Sequence, residues 1–268
     1  MKSIIKCQFI LIAAISFAFT SCNQEAKQKE KEAAAAAKEM PAAPKTEPMP
    51  KSMYNAALDA AKMDPLHYKV IHDSLGIRIL EVTYKPGESS MMHAHPDLVV
   101  YAVEGGTVEM TAKDGTKQIN EMKKGMTLLN AGTEHTPRNV GKTTMKLILF
   151  EVNRPRLEAG KAPAFNAVMD AVKIDPAHYK VLKDSLGIRV LEINYKAGET
   201  SVMHAHPDNA LYVIQGSTVQ MTTKDGSKQV TDFKNGVSKV GGSDEHMPKN
   251  VGKTALKAIL VEVQRPRN

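Results

Sequence analysis

Tryptophan is absent, and aromatic residues reach only 5% of the 268 residues, so stacking platforms for bases or sugars would be scarce. The two cysteines, Cys7 and Cys22, cannot build a disulfide scaffold or a cysteine-based zinc site. The N-terminal apolar run, Phe9 to Phe19, is too short for a comfortable membrane span. Charge is not of one sign: 36 basic against 29 acidic side chains leave a formal +7. That mixed charge, 24% of the chain, excludes a polytopic membrane protein, and the 42% apolar content excludes wholesale disorder.

Lys2 and Lys6 before the short apolar run have the pattern of a signal peptide over residues 1–21. It ends in Phe19-Thr20-Ser21-Cys22, which resembles a bacterial lipobox although Phe19 stands where Leu is usual. The expected product is exported and lipid-anchored through Cys22 in the bacterial cell envelope; the alternative is an ordinary signal peptide with an incidental cysteine. Cleavage would remove Cys7 and leave the mature domains without a free thiol, which suits an oxidising compartment. Residues 22–54 hold mixed charge, five alanines (Ala33 to Ala37) and four prolines without an apolar stripe, the composition of a flexible tether. Nothing in this charge pattern reads as a nucleic-acid-binding tail.

The organisation is set by an internal repeat. Asn55 to Arg156 aligns without a gap on Asn166 to Arg267, with about 59 of 102 positions identical. Two domain-sized copies follow, residues 55–156 and 166–268, joined by a linker over 157–165. Each copy opens with a short helical pattern (Asn55 to Lys62, Asn166 to Lys173) stopped by Asp-Pro. Beyond it the first copy reads as strands over 77–84, 99–103, 107–111, 117–121 and 145–152, divided by glycine turns. Short strands at this spacing predict an all-β fold with a small barrel or sandwich in each copy.

Six of the nine histidines form one duplicated pattern: His93, His95 and His135, then His204, His206 and His246. His-x-His on a strand puts both imidazoles on one face. A third histidine about 40 residues on can reach that face from a neighbouring strand, giving a three-nitrogen metal site with open positions.

On these residues the chain resembles the cupin superfamily. Gly87-Glu-Ser-Ser-Met-Met-His93-Ala-His95 through Gly105 and Gly198 through His204-Ala-His206 to Gly216 are similar to the first cupin motif. Gly125 to Asn139, containing His135, and Gly236 to Asn250, containing His246, are similar to the second. The resemblance implies two tandem cupin-type double-stranded β-helix barrels and a divalent metal in each. It also marks a departure: the usual metal-binding glutamate falls on Leu98 and Asn209, neither of which is anionic. Candidate replacements, as direct or supporting ligands, are Asp97 and Asp208, two residues past the second histidine, and Glu134 and Glu245 beside the third, whose simpler role is hydrogen bonding at a turn.

Three neutral imidazoles leave the metal's charge uncompensated, which favours a small anionic ligand, and Fe, Zn, Ni or Cu over Mn. Some cupin-like dioxygenases use a three-His iron site, so the resemblance implies dioxygenase-like or other metal-dependent chemistry; the alternative is a non-catalytic metal- or small-ligand-binding envelope lipoprotein. Cupins commonly associate, which implies homo-oligomers. Leu98 against Asn209 and Asn130-Ala-Gly132 against Gly241-Gly-Ser243 predict a more apolar pocket in the first copy. Met91, on the histidine face of the strand, is expected as a pocket wall, Met92 and Met203 as core, His67 and His178 as structural. Arg78, Arg189, Lys85, Lys196 and the Arg-Pro-Arg ends are candidates for anion contacts, with a solvated face as the default expectation.

Overall fold

The computed structural model describes residues 54–156 and 165–267. The expected signal peptide, the lipidation at Cys22, and all but the last residue of both tether and linker lie outside the described residues. Among the described residues no helix is long and apolar enough to cross a membrane.

The expected opening helix is divided. A 3-10 turn, Ala56–Leu58, is followed by a single helical turn, α1 (Ala60–Met63). Asp59 between them stays extended because its buried carboxylate caps Lys62 N–H at 3.2 Å and pairs with Arg78. Then come β1 (Tyr68–Ser74), β2 (Ile77–Tyr84), β3 (His93–His95), β4 (Asp97–Glu104), β5 (Gly106–Ala112), β6 (Lys117–Met122), β7 (Thr127–Asn130), β8 (Thr133–Asn139) and β9 (Met145–Val152). They form two sheets, ordered β1-β2-β9-β4-β7 and β3-β8-β5-β6, which close on a barrel interior.

The second copy repeats this with α2 (Ala171–Ile174), β10 (Tyr179–Ser185), β11 (Ile188–Tyr195), β12 (His204–His206), β13 (Asp208–Gln215), β14 (Thr218–Thr223), β15 (Lys228–Asp232), β16 (Ser238–Gly241), β17 (Asp244–Asn250) and β18 (Leu256–Val263). Its sheets run β10-β11-β18-β13-β16 and β12-β17-β14-β15. The molecule is therefore almost all β, two tandem barrels each preceded by a short helix.

The central strands of each five-stranded sheet are buried on both faces, whereas β1 and β10 at its edge are mostly exposed. Leu80, Val82 and Tyr84 of β2 point into the first barrel. Ile77 and Ile79, on the other face, pack with Val99 and Phe150 against Ile188, Val190, Val261 and Val263 of the second barrel. Tyr101 and Tyr212 meet across this interface with ring centres 5.7 Å apart. Two-sided burial explains the apolar runs from Leu98 to Val103 in β4 and from Leu147 to Phe150 in β9.

A reciprocal arginine clasp surrounds that interface. Arg154 Nη1 donates to the carbonyl of Arg265 at 3.1 Å, and Arg265 Nη1 to that of Arg154 at 3.0 Å. Each also crosses to the other barrel's aspartate, Arg154 to Asp208 at 2.8 Å and Arg265 to Asp97 at 2.6 Å. The expectation of solvated Arg-Pro-Arg ends is corrected for Arg154 and Arg265, which are buried. Arg154 Nε also holds the carbonyl of Leu75 in the β1–β2 turn at 2.6 Å. Leu75 and Gly76 have φ of +53° and +67°, the two left-handed residues of a tight hairpin. His72, without a counterpart in the repeat, joins the barrels by donating from Nε2 to the carbonyl of Ser238 at 2.9 Å.

Candidate metal centres

In the first barrel, β3 is short because Pro96 ends it, and its register on β8 sets His93 directly opposite His135. Alternation then brings His95 to the same side. The three imidazoles converge with ring centres 4.9 to 5.2 Å apart, and one ligating atom from each lies within 4.8 Å of the others. His204, His206 and His246 repeat this arrangement through the pairing of β12 with β17.

Hydrogen bonds behind the rings fix which nitrogen is free. His93 Nδ1 lies 2.8 Å from the carbonyl of Met91, and His95 Nδ1 lies 2.6 Å from Glu151 Oε1. Each acceptor holds the proton on Nδ1 and puts the lone pair on Nε2, free on the His95 side and shared with the Tyr68 hydroxyl at His93. Glu151 accepts in turn from Arg78 Nε at 2.6 Å, and Arg78 reaches Asp59 at 2.5 Å. The second barrel has the same chain, His206 to Glu262 to Arg189 to Asp170. Arg78 and Arg189 thus support the histidines and are not on a solvated face, which corrects that expectation.

Burial disfavours the imidazolium form. It pushes His93 down to about 4 and His204 to about 3, and His135, beside the other two rings, to about 3. Neutral nitrogens are what a divalent cation needs, so the donor set fits one, and an all-imidazole set suits Zn, Cu, Fe or Ni.

A second hydrogen-bonded chain leads away from the triad. Tyr68 Oη lies 2.9 Å from His93 Nε2 and accepts from Tyr84 Oη at 3.0 Å. Tyr84 also meets Ser90, which donates to Asp64, and Asp64 holds His67 Nδ1 at 2.7 Å. Burial raises the Tyr68 phenol well above 10, so it stays a donor. His67 stacks on Tyr84 at 4.4 Å and His178 on Tyr195 at 4.1 Å, the structural role expected of both.

The candidate carboxylates are engaged elsewhere. Asp97 takes Arg156, Arg265 and the Gly132 N–H, and Asp208 takes Arg154, Arg267 and the Ser243 N–H. They point away from the imidazoles because the chain changes sheets at Pro96 and Pro207, so period-two alternation does not carry across the prolines. Glu134 and Glu245 pair with the exposed Lys113 and Lys224 at 3.3 and 3.1 Å. Met91 is 62% exposed and contributes its carbonyl to His93, not a pocket wall.

Glu151 and Glu262 were missed by the sequence reading. A lone glutamate inside an apolar strand, repeated in both copies (Leu-Phe-Glu-Val, Leu-Val-Glu-Val), was the available signal. Glu151 lies opposite Leu98 on β4, the position where the usual cupin glutamate is absent.

Comparison with known proteins bears on the fold. Residues 80–151 match the family model described as Cupin domain. The fold is that of two tandem cupin barrels. AerE from Microcystis aeruginosa is similar in structure at 13% identity, with 74% of this chain and 93% of AerE covered and a TM-score of 0.53. Bacillus subtilis oxalate decarboxylase, a protein with Mn(II) centres, aligns at 13% identity over 73% of this chain and 71% of its own, with a TM-score of 0.48. A Cupin 2 conserved barrel domain protein from Leptotrichia buccalis aligns at 16% identity over 73% and 88%, with a TM-score of 0.45. No curated protein matches the chain in sequence.

Proposed function

We propose that this bicupin is an exported lipoprotein, anchored in the bacterial cell envelope through Cys22, which holds a divalent metal in each three-His site and acts on a small anionic molecule. The observation that carries the reading is the duplicated triad with a carboxylate behind its central histidine in both barrels. A bound Fe, Zn, Ni or Cu would supply a Lewis-acidic centre, and a redox metal would extend this to oxygen chemistry of the dioxygenase type. The protein's own part is to present three imidazole nitrogens, to lock the orientation of His95 and His206 through Glu151 and Glu262, and to hold a proton on the Tyr68 and Tyr179 hydroxyls beside His93 and His204. Three neutral ligands leave the metal's charge to attract an anionic group.

A specific observation favours the second reading, a non-catalytic metal- or ligand-binding lipoprotein. Outside the triad, the titratable side chains that line the first barrel's cavity are Glu134, paired with Lys113, and the buried tyrosines Tyr68 and Tyr84, both raised by burial. Glu134, the one carboxylate among them, is ion-paired with Lys113, and burial opposes ionisation of both tyrosines.

Metal analysis of protein purified from its natural compartment, followed by oxygen uptake with candidate anions, separates the two. Two equivalents of metal per chain are expected, falling to one in His93→Ala or His204→Ala and to none in the double variant. Full metal content in the double variant would overturn the assignment. Iron with turnover supports the enzyme, and zinc without turnover supports the binder.

A further inference from the structure

The first barrel encloses a cavity of about 630 Å³ that opens onto His95 and His135. That volume lies within the range of pockets that enclose drug-sized ligands. Val82, Leu98, Val108, Met122, Leu128 and Leu147 form its walls, and no lysine or arginine is among its lining residues. An anionic group entering here finds one source of positive charge, the metal site; beyond that contact the apolar walls share the lining with neutral Thr116, Gln118, Asn120 and Asn130 and with the acidic Glu134. A compact dianion would find no cationic side chain to pair its second charge, at the cost of burying an uncompensated charge.

The second barrel provides an internal comparison, since the repeat places different residues at equivalent positions. Leu98 becomes Asn209, Leu128 becomes the exposed Lys239, and Met122 becomes Phe233, which packs against the second barrel's core. Thr133 becomes Asp244, whose carboxylate lies 2.8 Å from His246 Nδ1. A cation and an anion therefore stand where the first barrel has leucine and threonine.

Resting on the metal-site reading above, we propose that the first barrel selects an amphipathic small molecule, with a single anionic metal-ligating head and an uncharged apolar body lying along Leu98, Leu128 and Met122. The second barrel does not select for an apolar body. Leu98 and Leu128 are the residues that determine this specificity.

The test is calorimetric titration of the zinc-loaded full chain with acetohydroxamate, butanohydroxamate, hexanohydroxamate and octanohydroxamate. Each barrel is read alone by dismantling the other triad, with His204→Ala/His246→Ala or with His93→Ala/His135→Ala. In the first barrel, affinity is expected to rise about fourfold per added methylene. In the second, it is expected to stay flat along the series. Leu98→Asn/Leu128→Lys, which installs residues the homologous barrel already carries, is expected to flatten the first barrel's series, so that octanohydroxamate gains nothing over acetohydroxamate. A flat series in the unmodified first barrel, with zinc and acetohydroxamate still bound, would overturn the ligand class and leave the metal sites standing. Failure of both triads to take up zinc would remove the metal sites and this proposal together.

Discussion

With Glu151 Oε1 on His95 Nδ1 and Arg78 on Oε2, the imidazole cannot exchange tautomers without leaving buried Oε1 facing a second lone pair with no donor. The same carboxylate raises the basicity of Nε2 toward a metal. Glu151→Gln is therefore expected to weaken metal binding in the first barrel by about 10- to 100-fold and leave the second unchanged, with Glu262→Gln giving the mirror result. Competition against a chromophoric chelator measures both sites, and equal affinities in wild type and variant would remove the role assigned to these glutamates. The buried histidines also set a pH dependence. His93, His135 and His204 titrate in the fold well below the ordinary 6.5, so the unfolded chain takes up protons first as pH falls. The metal-free protein should lose stability progressively from about pH 6.5 down to 3–4 and gain none from these groups above pH 7. Melting temperatures of the metal-free protein across that range check this, and a level profile between pH 6.5 and 4.5 would contradict it.

The β1–β2 hairpin shows how a local element is held by the far end of its domain. Gly76 has φ +67°, and a Cβ there would meet Arg154 Cγ at 2.9 Å. Gly76→Ala adds backbone strain to a collision with a buried arginine and is expected to cost about 1–3 kcal/mol in chemical denaturation. Leu75→Gly, which relieves a left-handed leucine, is expected to be nearly neutral, so a large loss there would point away from backbone strain as the cause. The strands themselves were largely legible. β2 and β9 match the stretches read from alternation and apolar runs: Arg78, Glu81 and Thr83 break β2 into an alternating pattern, while β9, buried on both faces, is apolar from Leu147 to Phe150. β1, β7 and β8 carry too many polar residues at partly exposed positions to stand out by pattern. The triads were legible because His-x-His fixes a shared face over three residues. The partnership of His95 with Glu151 spans 56 residues and two sheets, and no local spacing encodes it. Asp97 was misread for a related reason: alternation counted through Pro96 assumes a strand that the chain abandons there.

At the scale of the molecule, the two barrels are joined through the same residues that end each repeat. Asp97 accepts from Arg156 of its own barrel and from Arg265 of the other, Asp208 from Arg267 and Arg154, and the apolar layer between the sheets lies beside them. Neither barrel could be removed without exposing that layer and stranding buried guanidinium groups. Thermal unfolding of the metal-free protein should therefore show one cooperative transition for both barrels. Asp97→Ala leaves Arg265 buried without its carboxylate, which is expected to cost about 3–5 kcal/mol. Because the clasp is shared, that loss should lower the melting of the whole molecule and not split off the first barrel. The clasp is also sensitive to acid in its own range. Although burial opposes ionisation of Asp97, Arg156 and Arg265 hold its carboxyl below the ordinary 3.8, and Arg267 and Arg154 hold Asp208 at about 2. These carboxylates are ionised more readily in the fold than in the unfolded chain. Their contribution is complete above pH 4 and lost as pH falls toward 2, below the window of the histidines. Calorimetry of wild type and Asp97→Ala at pH 7 and pH 3 should show the difference between them shrinking in acid. Two separate transitions in the wild-type protein at pH 7 would show instead that the barrels unfold independently and that the clasp contributes little to their union.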